Sequence, residues 1–117
     1  MENIEIKQFN RYGLNSSLIG LSSINDNIRF MLQGDHNWVN SVLISKSTAA
    51  EMIAFLKHLL DDNIEGKKFH LNESEYIVIK SSMNDIQITV SCCGSNVIGY
   101  LTSQHAKTLI KAMEKMI

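Results

Sequence analysis

Apolar and polar residues alternate along eight short stretches of the chain, and each alternation reads as a strand with one buried face. The first half contains Ile4 to Phe9, Ser17 to Leu21, Ile28 to Gln33 and Val39 to Ile44. The second half contains Lys68 to Leu71, Tyr76 to Lys80, Ile86 to Ser91 and Val97 to Leu101. After each set of strands the period changes. Ala49, Met52, Ile53, Leu56, Leu59 and Leu60 fall on one helical face, and so do Ala106, Leu109, Ile110, Met113, Met116 and Ile117. Ser45 and Thr102 stand where a hydroxyl caps the first turn of each helix, preceded by the apolar Ile44 and Leu101.

These two series are related by position. Ser22-Ser23-Ile24-Asn25-Asp26 recurs as Ser81-Ser82-Met83-Asn84-Asp85, with four of the five residues identical at an offset of 59. One extra residue in the first copy, Asn27, shortens the offset to 58 for Ile28, Phe30 and Leu32 against Ile86, Ile88 and Val90. A further deletion brings it to 57 for the helices and their caps. A turn motif, a strand alternation and a six-position helical face agreeing together predict an internal duplication. The Asn and Asp of the recurring run tolerate left-handed backbone, so each run is expected to close a hairpin between the second and third strands of its copy.

The expectation is an α+β fold: two ββββα repeats with antiparallel sheets and two amphipathic helices, packed as one pseudo-two-fold domain spanning 1–117. Repeat one covers 1–60 and repeat two 61–117, joined by the polar Asp61-Asp62-Asn63-Ile64-Glu65-Gly66. A sheet with one apolar face and a single helix leaves apolar surface uncovered, which is why the copies are expected to share one interior.

Composition narrows the function. Eleven Lys+Arg balance twelve Asp+Glu for a net charge of -1, and arginine occurs only at Arg11 and Arg29, so the chain lacks the basic excess of a typical nucleic-acid binder. No apolar run reaches the roughly 18 residues of a membrane helix, and the N-terminus has no basic stretch followed by an apolar one, which points to a cytoplasmic protein. Cys92 and Cys93 are neighbours, and strand neighbours point to opposite faces, so they are expected to stay reduced and unbridged, with Cys92 in phase with the core residues Ile86, Ile88 and Val90.

The tandem ββββα pattern resembles the Whirly fold, which is related to a single-repeat coactivator fold that reaches the same arrangement by dimerising. That resemblance implies single-stranded DNA binding on sheet faces through basic and aromatic residues. The plant proteins have a lysine-containing KGKAAL-type segment; the nearest basic pair here, Lys67-Lys68, is followed by Phe69-His70 without that pattern. A similar architecture occurs in small bacterial immunity proteins that neutralise contact-dependent toxins, which implies a short, non-catalytic, toxin-binding protein.

The residues themselves give little chemistry. His36, His58, His70 and His105 show no paired ligand spacing and the cysteines no Cys-x-x-Cys, so no metal, cofactor or catalytic residue is predicted. The six glycines form no phosphate-binding loop. Lys107, Lys111 and Lys115 make a stripe that reads as the solvated face of the second helix. The copies differ most around Gln33-Gly34-Asp35-His36-Asn37-Trp38, whose counterpart is shorter and has no tryptophan. Trp38 either caps the core or anchors a partner, with Asp35 and His36 supplying polar specificity. Phe55 replaces Ala112 of the other copy and either extends an exposed patch or fills space between the copies. Asp61, Asp62 and Glu65 offer an acidic surface to a basic partner or serve as a hydrated connector.

The expected function is a non-enzymatic protein-binding module, most concretely an immunity or inhibitor protein that occludes a toxin domain such as a nuclease. The alternatives are a single-stranded nucleic-acid binder and a small phage or plasmid regulator. A monomer and a homodimer are both compatible with the sequence, and no membrane partner is expected.

Overall fold

In the computed structural model, residues 3–9, 16–34, 38–61, 65–82 and 85–117 are described. The chain is α+β, with two antiparallel sheets and two helices. The first half forms β1 (Asn3–Phe9), β2 (Ser16–Ile24), β3 (Asn27–Gln33), β4 (Val39–Ser45) and α1 (Lys46–Asp61). The second forms β5 (Lys67–His70), β6 (Glu75–Ser82), β7 (Asp85–Cys92), β8 (Ser95–Leu101) and α2 (Ser103–Glu114). Both sheets are meanders, ordered β1-β2-β3-β4 and β5-β6-β7-β8.

Local chemistry accounts for the boundaries. In the first sheet Ile24 pairs with Asn27, which leaves Asn25-Asp26 as a two-residue turn with Asn25 at φ 55. A short amide side chain tolerates this left-handed backbone, so β2 runs further into the recurring Ser-Ser-Ile-Asn-Asp stretch than its polarity suggests, and β3 starts directly after it. Its second occurrence joins β6 to β7, where Ser82 faces Asp85, and the Met83-Asn84 turn lies outside the described residues. Both helices start at the hydroxyls expected of them. Ser45 Oγ accepts a hydrogen bond from the Thr48 amide at 3.1 Å, and Thr102 Oγ1 accepts one from the His105 amide at 3.2 Å.

The alternation sorts side chains as it should. Ile28, Phe30 and Leu32 on β3, and Ile86, Ile88 and Val90 on β7, point inward and are buried, and so are Ala49, Met52, Ile53, Leu56 and Leu59 of α1. Ala106, Leu109, Ile110 and Met113 do the same on α2. The buried residues of both sheets and both helices form one cluster. The last position of each helical face departs from the pattern: Leu60 is only partly buried, and Ile117 is exposed because α2 ends at Glu114. Asp61, expected in the connector, is the last residue of α1.

Two contacts tie the sheets together. Asn40 on β4 points inward and donates through Nδ2 to the carbonyls of Val90 and Ser95, both at 2.9 Å, while Ser95 Oγ donates back to Asn40 Oδ1 at 3.3 Å. At the end of β3, a Cβ on Gly34 would collide with the Ile98 carbonyl and lie 2.9 Å from Val97 Cγ1, so only glycine lets this chain segment press against β8. Between the helices, Lys57 Nζ lies 3.1 Å from Glu114 Oε2, an exposed pair worth about 0–1 kcal/mol.

Candidate protein-binding face

The strand that leads into α1 has a buried side and a solvent side. Val42 and Ile44 enter the core, so the strand period turns Val39, Ser41, Leu43 and Ser45 outward. Val39 is 51% exposed and Leu43 49%, and Trp38, just before the strand, is 64% exposed. Cross-strand pairing sets Gln33 against Val39, Met31 against Ser41 and Arg29 against Leu43. Arg29 is exposed, and Met31 and Gln33 are half-buried. The outer side of β3–β4 therefore joins a tryptophan, two aliphatic side chains, a methionine and an arginine. Trp38 is held in place from behind, since the Gly34 amide donates to the Trp38 carbonyl at 2.9 Å.

Of the other residues expected to bind a partner, Phe55, Asp61 and Glu65 are described. Asp35, His36 and Asp62 lie outside the described residues. Phe55 is half-buried against the core and meets Phe69 of β5 edge-to-face, with ring centroids 6.0 Å apart. That placement fills space between the first helix and the second sheet. Asp61 and Glu65 are both exposed, at the end of α1 and ahead of β5. Sequence reasoning missed Val39, Leu43 and Arg29. The alternation in Val39 to Ile44 carried the signal for the first two, because its outward positions are apolar where solvent-facing positions are ordinarily polar.

The outer side of the second sheet has a different character. Lys68 Nζ sits 3.9 Å from the centre of the Tyr76 ring, which makes a cation–π contact. Register places Val78, Thr89 and Ile98 in one row across this side, with Lys80, Gln87 and Tyr100 in the next.

The cysteines are arranged differently from the sequence expectation. Cys92 ends β7, half-buried at the margin of the core, and Cys93 begins the turn to β8. Cys93 has φ 55 and Gly94 φ 84, and this left-handed pair swings the Cys93 side chain back toward its neighbour. The two Sγ atoms lie 3.4 Å apart instead of on opposite faces. Cys92 Sγ also donates to Glu75 Oε2 at 3.2 Å. Glu75 accepts that proton only while Cys92 is a thiol, and it is the main reason the Cys92 pKa is pushed up to about 12, with the Cys93 contact and desolvation adding to it. His105 accepts or donates at Nδ1 to the Thr102 hydroxyl, 2.8 Å away.

Among the described residues, no three His, Cys, Asp or Glu side chains converge as a metal site, and no helix is long and apolar enough to cross a membrane. No protein-family model and no curated protein matches the chain.

Proposed function

We propose that the chain is a non-enzymatic protein-binding module whose outer β3–β4 surface seats on a partner protein. The observation that carries this reading is Trp38, 64% exposed beside the exposed Val39 and Leu43. Tryptophan and arginine are enriched in binding hot spots, and Arg29 stands across from Leu43. Most concretely, the module is a cytoplasmic bacterial immunity or inhibitor protein that occludes a toxin domain such as a nuclease. The exposed Asp61 and Glu65 supply negative charge that steers a basic domain toward it.

The fold supports a fused duplication, and we infer that the halves, 1–60 and 61–117, are equivalent ββββα units packed about a pseudo-two-fold axis as one domain of Whirly-like architecture. Matching strand order, matching helix caps and one shared apolar cluster support it.

A second reading, single-stranded nucleic-acid binding, is favoured by the Lys68–Tyr76 contact and by Lys80 and Tyr100 on the same sheet face. One experiment separates the two. An immunity gene follows the gene of its toxin, so the C-terminal domain encoded by the reading frame immediately upstream is titrated calorimetrically, alongside a single-stranded oligonucleotide at physiological salt. The protein-binding reading expects saturable binding of the domain that Trp38→Ala weakens by about 2 kcal/mol, roughly 30-fold. Binding of the oligonucleotide alone, with an affinity that falls steeply with salt, contradicts it.

A further inference from the structure

Two-residue hairpin turns with positive φ at both positions ordinarily take Asn, Asp or Gly at the first. Here that position is Cys93, at φ 55, which carries a steric cost that a short amide side chain would lessen. What this backbone provides is convergence: the Cys92 and Cys93 sulfurs stand 3.4 Å apart, with Cys93 exposed, Cys92 half-buried and a carboxylate oxygen 3.2 Å behind Cys92. An accessible thiol next to a second thiol with its own proton acceptor is the arrangement of an attacking and a resolving cysteine. We propose that Cys92 and Cys93 are a reversible oxidation site, closed to a disulfide within the β7–β8 turn by a hydroperoxide.

The chemistry balances in two steps. The Cys93 thiolate attacks the terminal peroxide oxygen; the S–O bond forms as the O–O bond breaks, and the leaving oxygen takes a proton, departing as water when the oxidant is hydrogen peroxide. Cys92 then attacks the sulfur of the Cys93 sulfenic acid and passes its proton to Glu75. The S–S bond forms as the S–O bond breaks, and the expelled hydroxide leaves as a second water after taking up that proton. Two thiols lose two electrons and two protons, and hydrogen peroxide is reduced to two waters. Glu75 is a positioning and proton-accepting group for Cys92; the raised pKa keeps that sulfur a thiol and leaves the first attack to Cys93.

The bridge is expected to open easily. Neighbouring Cα atoms lie about 3.8 Å apart across a trans peptide bond, short of the ~4.4–6.8 Å that disulfides usually span, and a bridge forced outside its preferred geometry is more readily reduced.

The test uses the full reduced chain. It is treated with hydrogen peroxide in slight excess, quenched at intervals with a thiol-alkylating reagent and read by intact mass and peptide fragmentation, with circular dichroism confirming that each variant is folded. The expected product is a monomer lacking two hydrogens, refractory to alkylation at both cysteines and restored by dithiothreitol. In Cys92→Ser the Cys93 sulfenic acid has no resolving partner and accumulates, trapped by dimedone. Wild-type protein that ends as a Cys93 sulfinic acid or as a disulfide-linked dimer overturns the proposal.

Discussion

Counted back from the two helix caps, Val39 and Leu43 of β4 occupy the positions that Asn96 and Tyr100 occupy on β8, and Ser41 that of Ile98. These are outward positions on both strands, and they differ in kind. One step along, Val42 and Ile44 answer to Gly99 and Leu101, all of them buried. An inward side chain is held to an apolar identity, or like Asn40 to a fully hydrogen-bonded one, by neighbours that leave little room for water, whereas an outward one is released from packing and is left for a partner to select. The first sheet carries Val39 and Leu43 outside on β4; the second carries Lys68, Tyr76, Lys80 and Tyr100 on its outer side together with the exposed Ile98. This divergence, more than the shared core, separates the two functional readings.

The largest expected effects come from the inward side, where the two sheets should behave alike. Phe30→Ala and Ile88→Ala remove fully buried side chains at corresponding strand positions and should cost about 3–5 and 2–5 kcal/mol in urea unfolding. Leu43→Ser on the outside should stay near ±0.5 kcal/mol. A Leu43→Ser cost comparable to that of the core variants would mean that the β4 surface is structural.

Next in size is the contact between sheets. Gly34→Ala pushes a methyl group into the Ile98 carbonyl, where backbone has to give, and should destabilise by about 1–3 kcal/mol. The helix caps sharpen the comparison further: Ser45→Ala and Thr102→Ala should each cost about 1 kcal/mol, and by similar amounts, as equivalent halves require.

The smallest effect is asymmetric, since only the second half has thiols at its last hairpin. The Cys92 pKa is raised in the folded chain, from an ordinary 9.0 to about 12. Its contribution to stability is therefore complete below about pH 9 and lost as pH rises toward 12. Thiolate absorbance of Cys93→Ser should titrate well above 9.0, and Glu75→Gln in that background should bring the midpoint back down. An unshifted midpoint with Glu75 intact would remove the carboxylate as the cause.

Much of this was legible in the residues. Strands, helices and caps follow from periods of two and 3.6 and from hydroxyls at the right places, which are local signals that tertiary packing reinforced. What escaped depends on turn handedness or on contacts between distant residues. Gly94 signals a tight turn, but cysteine is not a residue that announces positive φ, so nothing local says that the turn brings the two sulfurs together. The Asn40 bonds to Val90 and Ser95 span 50 and 55 residues, and no period encodes them. Phe55 reads as an oversized residue on a helix flank until Phe69 is set against it. Trp38 stood out in the residues because the matching stretch of the second half has no tryptophan, but no local period decides whether its ring meets solvent or core.

The most direct test is a heteronuclear NMR titration of the labelled chain with the C-terminal domain encoded immediately upstream. The account predicts that shifted amides and the Trp38 indole cluster on Trp38, Val39, Leu43, Arg29 and Met31. Shifts centred instead on Lys68, Tyr76, Lys80 and Tyr100, with the β4 surface silent, would contradict it.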